Sequence, residues 1–215
     1  MATLKGGYHT ADGQRVPSVT TILSRFKESG GLIHWAWSLG KEGKDYREVR
    51  DQAADAGTLA HNMVEQFIHH EPVECPTEPA SVVAKAKKSF EAFQEWARQT
   101  NLVVDKTEMP LVSEKYKFGG TFDAILVNGK RAMGDWKTSN AIYSEYLAQI
   151  AAYAILWEEN FPDQPIDGGF HLLRFDKEYG DFHAHWWGEL DAGKRYFLAI
   201  RAAFAEDKEL KARAK

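Results

Sequence analysis

Apolar side chains recur every three or four residues through most of the first hundred positions, alternate over roughly the next forty, and then return to the helical rhythm. Tyr8 to Val16 alternates around Asp12-Gly13 and predicts a small hairpin. Pro17-Ser18 then opens a short helix from Val19 to about Phe26, with Ser18 as N-cap and Gly30-Gly31 as its end. Leu32 to Leu39 carries Trp35 and Trp37 and reads as helix to about Val49; core packing or stacking on bases would each suit these tryptophans. A further helix is expected from about Arg50 to His70. Leu59, Met63 and Phe67, with Val64 and Ile68, form its apolar stripe, and His61 and Glu65 lie one turn apart on a neighbouring face. The run Glu71 to Ala80 has three prolines and reads as a surface loop or hinge. Pro79 suits the first position of the next helix, which continues to about Gln99 with Val83, Phe90, Phe93 and Trp96 inward. Lys85, Lys87 and Lys88 near its start form either a solvated face or a phosphate-contacting patch.

Leu102 to Val112 and Lys115 to Val127 pair as strands, and Arg131 to Thr138 adds a third. From Ile142 to about Asn160 the pattern is again helical. Leu147, Ile150, Ala151, Ala154 and Ile155 point inward, whereas Tyr146, Gln149 and Tyr153 follow one side. Ile166 to Phe175 and Asp181 to Trp187 predict a hairpin around Tyr179-Gly180. It places His183 and His185 on one face, as an exposed pair or a metal pair. Leu190 to Phe204 is a closing amphipathic helix, and Glu206 to Lys215 a charged, frayed tail. The expected fold is α/β, a central mixed sheet of about five strands flanked by helices, in one domain over 1–215. Its parts are an N-terminal hairpin and helices over 1–80, a core over 81–188 and a closing helix and tail over 189–215.

The chemistry concentrates between Gly119 and Ser139. Asp135 and Lys137 share one face of their strand, and Trp136 takes the other. Alone, that pair could be an ordinary surface ion pair worth ~0 to 1 kcal/mol. Asp123 on the neighbouring strand changes the picture, because two acids converging near one lysine make an oxygen-rich pocket suited to a hard divalent cation. Convergence sets a condition on the turn. A two-residue loop at Asn128-Gly129 would put the two aspartates on opposite faces, so a shared site requires either a three-residue loop, Asn128-Gly129-Lys130, or a bulge at Gly134. Glu108 could reach the same pocket or be an ordinary strand glutamate, and Lys115, Lys117 and Arg131 supply nearby positive charge for DNA.

Composition narrows the setting. With 215 residues, 44% hydrophobic and 27% charged, the chain can bury a large core. The longest apolar-leaning run, Ala148 to Trp157, is too short to span a bilayer, and the start carries no export signal, so no membrane role is expected and the cytoplasm is the expected compartment. The single cysteine, Cys75, excludes a disulfide framework and a four-cysteine zinc or iron–sulfur centre within the chain. A net charge of -4 argues against coating nucleic acid by bulk charge. A nuclease stays open, since carboxylates gathered around cations lower the formal charge.

Taken in order, GTLAHNMVEQF, Glu108, GGTFDAIL, GDWKTS and QIAAY resemble the motifs of the PD-(D/E)XK nuclease superfamily, in the RecB-like exonuclease branch that includes phage exonucleases and the mitochondrial genome maintenance exonuclease. The opening VPSVTTIL is similar to that of many phage members. The resemblance implies a restriction-endonuclease-like core, with the N-terminal helices as one wall of a DNA cleft. It implies a metal-dependent DNA exonuclease acting on single-stranded ends in recombination, repair or phage DNA processing. It also implies one or two Mg²⁺ or Mn²⁺ ions held by Asp123, Asp135, His61 and the Trp136 carbonyl. Lys137 would position or help deprotonate water, and Gln149 and Tyr153 would contact substrate or the groups around the metal. Glu108 matches an upstream acid of the family. Lacking four cysteines, the chain resembles the cluster-free members, and lacking a P-loop motif it would need any helicase or recombination partner as a separate protein. The rival functions are a structure-specific endonuclease of the same superfamily and a binding module that kept the fold without the chemistry.

Overall fold

The computed structural model describes residues 6–27, 29–74, 79–101, 103–176 and 179–214, apart from the side chains of 51–55. Cys75 and the middle of the proline-rich segment lie outside the described residues.

A two-stranded hairpin, β1 (Tyr8–His9) and β2 (Arg15–Val16), leads into α1 (Val19–Arg25). Ser18 caps α1 as its sequence predicts, the side chain accepting from Thr21 N at 3.0 Å. Next come α2 (Gly30–Lys41), α3 (Tyr46–Ile68) and α4 (Ala80–Gln99). Two expectations change here. Gly30-Gly31 begins α2 instead of ending α1, and the break between the next two helices falls at residues 42–45, not near Val49. The cause is local: Gly43 takes φ +70°, which stops α2, and Asp45 starts α3 by accepting from Arg47 N at 2.8 Å. Trp37 does not enter the core; it is 58% exposed on a helix that buries none of its residues.

The sheet runs in the order β3 (Val103–Ser113), β4 (Phe118–Val127), β5 (Arg131–Thr138), β6 (Gly169–Phe175), β7 (Phe182–Trp187). All neighbours are antiparallel except β5 and β6, which run parallel and are joined through α5 (Ser144–Asn160). This is the five-stranded mixed sheet flanked by helices that the pattern predicts. The edge strand β3 carries Pro110 and a register shift between Val104 and Lys106, both of which blunt an exposed edge. The closing helix α6 (Asp191–Arg213) overruns the expected frayed tail. Ion pairs at helical spacing, Asp207 with Lys211 at 3.0 Å and Glu209 with Arg213 at 2.6 Å, hold the last turns, and Arg25 of α1 forks onto Asp207.

Two apolar layers enclose the sheet. On one side α1, α5 and α6 pack Ile22, Ile150, Trp157 and Phe197 against Ile125, Met133 and Phe170. On the other, α3 and α4 pack Val64 and Phe93 against Ala124, Trp136 and Phe175. α5 is buried almost all round from Ala148 to Trp157, because the sheet lies beneath it and α1 and α6 flank it. Among the described residues no helix is long and apolar enough to cross a membrane.

Phe93 sits at the centre of the second layer, its ring meeting those of Phe67, Trp96, Trp136, Phe175 and Phe182 at 5.9–6.3 Å. Phe93→Ala is expected to cost ~3–5 kcal/mol. In urea unfolding the midpoint should fall at unchanged m-value; a loss under about 1 kcal/mol would mean that the layer is not packed as described.

Candidate active site

The site is built by the β4–β5 turn. Val127 pairs with Arg131 and Ala124 with Gly134, so three residues, Asn128-Gly129-Lys130, close the hairpin and the pairing stays regular through Gly134. Gly129 takes the left-handed φ of +72° that this loop requires, and Asn128 Nδ2 ties it to Thr100 O at 2.7 Å. One further step in this register sets Asp123 beside Asp135 on the α5 side of the sheet. There the strands part, and Trp136 N donates to Asp123 Oδ2 at 2.7 Å. Trp136 itself points to the opposite layer.

Asp135 is wholly buried and Asp123 is 2% exposed. Lys137 Nζ lies 2.6 Å from Asp135 Oδ2, also buried, with the Tyr146 ring 5.5 Å away. Asp123 Oδ1 and Asp135 Oδ1 have no hydrogen-bond partner. Two carboxylates and one ammonium therefore share a dry recess with unbalanced charge. Burial, only partly countered by Lys137, lifts both carboxyls above their usual range, Asp135 to about 7. Burial works against the charge of Lys137, but Asp135 and Asp123 together outweigh it and hold the ammonium above its ordinary value.

His61 and Glu108 complete the neighbourhood. His61 on α3, its Nδ1 3.2 Å from Glu65 Oε1, is close enough to both aspartates for a protonated ring to favour their ionised forms. Pairing with His61 holds Glu65 below its usual value despite partial burial. Glu108 is half-buried and lies opposite Asp123 by the register of Thr107 with Ala124 and Met109 with Phe122. Its φ of +48° is strained for a glutamate, and its charge opposes ionisation of Asp123.

Gln149 and Tyr153 also arrive at this face. Gln149 Nε2 donates to Tyr153 Oη at 2.8 Å, and both side chains are buried. Burial first, then the two aspartates, push the Tyr153 phenol well up, so it stays protonated. A cavity of about 160 Å³ opens beside Gln149 and Tyr146, between Thr20, Ser24 and Lys27 of α1 and Glu145 of α5. Lys27 bridges its mouth to Glu145 at 2.5 Å.

The three cations expected nearby do not gather at the recess. Lys115 lies over the Tyr116 ring at 4.8 Å, and Lys117, in the β3–β4 turn, pairs with Glu114 at 3.2 Å. Six residues of strand put Lys117 ~20 Å from Asp123. Arg131 sits at the other end of β5, 5.9 Å over the Trp157 ring.

Two contributors escaped the sequence reading. Arg174, paired in register with Lys137, is buried and donates to Ser139 O at 2.9 Å and Asp176 Oδ2 at 2.7 Å, which fixes the end of β5. Nothing local in the sequence marks it. Gly57 is the other: a Cβ there would lie 1.6 Å from Thr138 Cγ2, so only glycine lets α3 approach β5 closely. Its place one turn before His61 was the available signal.

Among the described residues no three His, Cys, Asp or Glu side chains form a ready-made metal cage. The donor set still fits a hard divalent cation, since orphaned carboxylate oxygens in a dry recess are what such an ion satisfies.

No family model and no curated protein matches the sequence. Among solved structures, the chain is similar to a candidate exonuclease from Eubacterium rectale (TM-score 0.49, 13% identity), over 68% of this chain and 63% of that one. The chain thus spans less than two thirds of that protein's length. It is also similar to LHK-Exo in complex with dAMP (TM-score 0.41, 14% identity, 76% of this chain and 90% of that one). A second structure of LHK-Exo, an alkaline exonuclease from Laribacter hongkongensis, matches at TM-score 0.33 and 13% identity, over 76% and 91% of the two chains.

The unbalanced recess predicts how stability responds to pH and cations. Asp135 keeps its proton to about 7 when folded, against 3.8 ordinarily. Between those values the native state binds more protons than the unfolded chain, so this group's contribution falls as pH rises from about 4 to 7. Asp123→Asn leaves one carboxylate with one ammonium and keeps an acceptor for Trp136 N. The metal-free variant is expected to melt ~2–8 °C above wild type at pH 8, equivalent to about 1–2 kcal/mol. Mg²⁺ or Mn²⁺ should raise the wild-type midpoint but not the variant's; an equal response in both would remove the recess as the cation site. Gly57→Ala supplies a second check through α3. It should weaken Mn²⁺ binding, measured calorimetrically, by roughly ten-fold or more. Thr138→Gly in the same chain should recover most of that loss, whereas independence of the two substitutions would separate this contact from the site.

Proposed function

We propose that this chain is a metal-dependent nuclease of the PD-(D/E)XK superfamily, in the cluster-free RecB-like branch. In this reading it is a single nuclease domain that works as an exonuclease from single-stranded DNA ends. The observation that carries the reading is the shared recess of Asp123, Asp135 and Lys137, with carboxylate oxygens left unpaired in a dry setting. Such an arrangement costs stability unless a cation and a phosphate come to it. The order of motifs from His61 to Tyr153 agrees with it.

Asp123 and Asp135, with His61 and the Trp136 carbonyl, would hold one or two Mg²⁺ or Mn²⁺ ions, and Glu108 is a further candidate. The ion's chemistry there would be Lewis-acid polarisation of the phosphate and a lowered pKa for bound water. Lys137 keeps its proton between two carboxylates, so it donates hydrogen bonds to the attacking water or to a phosphate oxygen and does not act as a base. Water then bonds to phosphorus as the bond to the 3′ oxygen breaks. Gln149 and Tyr153 present a fixed polar pair to the substrate, and Arg174 keeps the end of β5 from shifting. Lys115, Lys117 and Arg131 would meet DNA only outside the scissile position. A helicase or recombination partner would be a separate chain, and the setting would be recombination, repair or phage DNA processing in the cytoplasm.

The test is digestion of end-labelled single-stranded, duplex and circular single-stranded DNA with Mg²⁺ or Mn²⁺, for wild type and Lys137→Ala. Linear single strands should be degraded and circles spared, with activity falling at least ~100-fold in the variant and vanishing with chelator. Cutting of circles would point to the endonuclease, and metal-dependent binding without cleavage to a module that has lost its chemistry.

A further inference from the structure

Strand β7 carries three rings that the proposed chemistry does not use. His183, His185 and Trp187 alternate with Phe182, Ala184 and Trp186, so they share one face of this edge strand. The alternate residues serve the α4 side, where Phe182 meets Phe93 at 5.9 Å. The three rings stand in file and nearly parallel. His183 and His185 centroids lie 6.3 Å apart at 28°, and His185 and Trp187 6.0 Å apart at 21°. Trp187 roots the file in the core, whereas His183 is exposed.

The register carries this file back to the candidate active site. Lys137 pairs with Arg174, and Arg174 with His183; Asp135 pairs with Leu172, and Leu172 with His185. The rings therefore occupy the same face as the aspartates and the lysine, two strand spacings or ~10 Å away. α5 packs on β3, β4 and β5, which leaves the outer end of this face, at His183, open to solvent.

We propose that the His183–His185–Trp187 file is a base-stacking platform for the single-stranded DNA that enters or leaves the recess. This rests on the nuclease reading, from which it takes the identity of the substrate. The ring separations are close to twice the ~3.4 Å stacking repeat of a nucleic acid strand, so a small rotation of an imidazole admits a base between two rings. Stacking of this kind tolerates any sequence, which suits an enzyme that digests whatever strand it meets. Burial, helped by His183 and Arg174, holds the His185 ring below its ordinary value, so at neutral pH it offers a π-face and not a charge. An added β-strand from a protein partner would use the backbone edge of β7; these rings stand on its face.

The experiment measures binding of a labelled short oligothymidylate by fluorescence anisotropy, together with hydrolysis of bis(p-nitrophenyl) phosphate, a diester that cannot fill a file of base sites. The variants are His183→Ala/His185→Ala and His183→Phe/His185→Phe, on exposed or half-exposed positions that leave the core intact. The alanine pair should bind the oligonucleotide at least ~10-fold more weakly, the size expected for losing a stacked base, with hydrolysis of the small diester unchanged. The phenylalanine pair should bind like wild type, and an abasic oligonucleotide should bind wild type as weakly as the alanine pair. Unchanged affinity in the alanine pair overturns the platform, as does equal weakness in the phenylalanine pair, which would mean that the imidazoles act by charge or hydrogen bonding. Failure of wild type to hydrolyse either substrate would sink the nuclease reading instead, and the anisotropy comparison would still decide the platform.

Discussion

The length of one loop sets the rest of this structure. Side chains alternate faces along a strand, so adding or removing one residue between β4 and β5 would turn one strand over relative to the other. With three residues in the loop, Asp123 and Asp135 fall side by side under α5, while Ala124, Leu126, Ala132 and Trp136 fall together under α3 and α4. A two-residue loop would have driven one carboxylate into an apolar layer. The loop is accordingly tied down, by Gly129 in a backbone conformation few other residues adopt and by Asn128 bonded to the end of α4 at Thr100.

Convergence then needs close approach, which four glycines allow. A side chain at Gly57 would strike Thr138, at Gly119 it would strike Tyr8, at Gly120 Tyr153, and at Gly134 Leu126. Each contact brings a wall of the site within reach: α3 with His61, the N-terminal hairpin, α5 with Tyr153, and the β4–β5 pair itself. The same closeness strips water from the carboxylates, which is why their oxygens are left unpaired and their protons held tightly. Stability and chemistry thus pull against each other at one place, and the two apolar layers around it supply the surplus that holds it.

Much of this could be read from the chain. The strands from Val103 to Thr138 and the helix from Ser144 to Asn160 follow from alternation, from helical periodicity, and from Asn128-Gly129 and Pro162 as punctuation. Both ways of bringing Asp123 to Asp135 were legible, a longer loop or a bulge, but choosing between them required the backbone, because Asn-Gly suits two-residue and three-residue loops alike. What stayed hidden was settled by distant contacts. Arg174 matters because a parallel pairing sets it beside Lys137, and parallel register is fixed by the crossover and not by a turn. The helical end of α6 depends on Arg25, 182 residues away from Asp207 in sequence. The division between α2 and α3 was readable in Gly43 and Asp45, but the tryptophans on one side and the helical periodicity on the other drew the break several residues too far along.

The charge balance ties these observations together. A chain with net charge -4 that acts on a polyanion has to confine its attraction to a few places. Lys137 is buried and already matched by Asp135, and Lys117 pairs with Glu114, so neither can draw a strand from a distance. Attraction would have to come from cations taken up at the recess and from contacts that ignore charge. Aromatic rings on an open face provide such contacts, and the exposed Trp37 with Lys41 4.5 Å over its ring shows that β7 is not the only place where the protein leaves an aromatic surface uncovered. Binding built in this way depends less on ionic strength than binding built on lysines, because each stacked base releases no counterion. The surface chemistry and the buried recess are in this sense one design: charge is concentrated where the phosphodiester is cut, and the strand is held elsewhere by its bases.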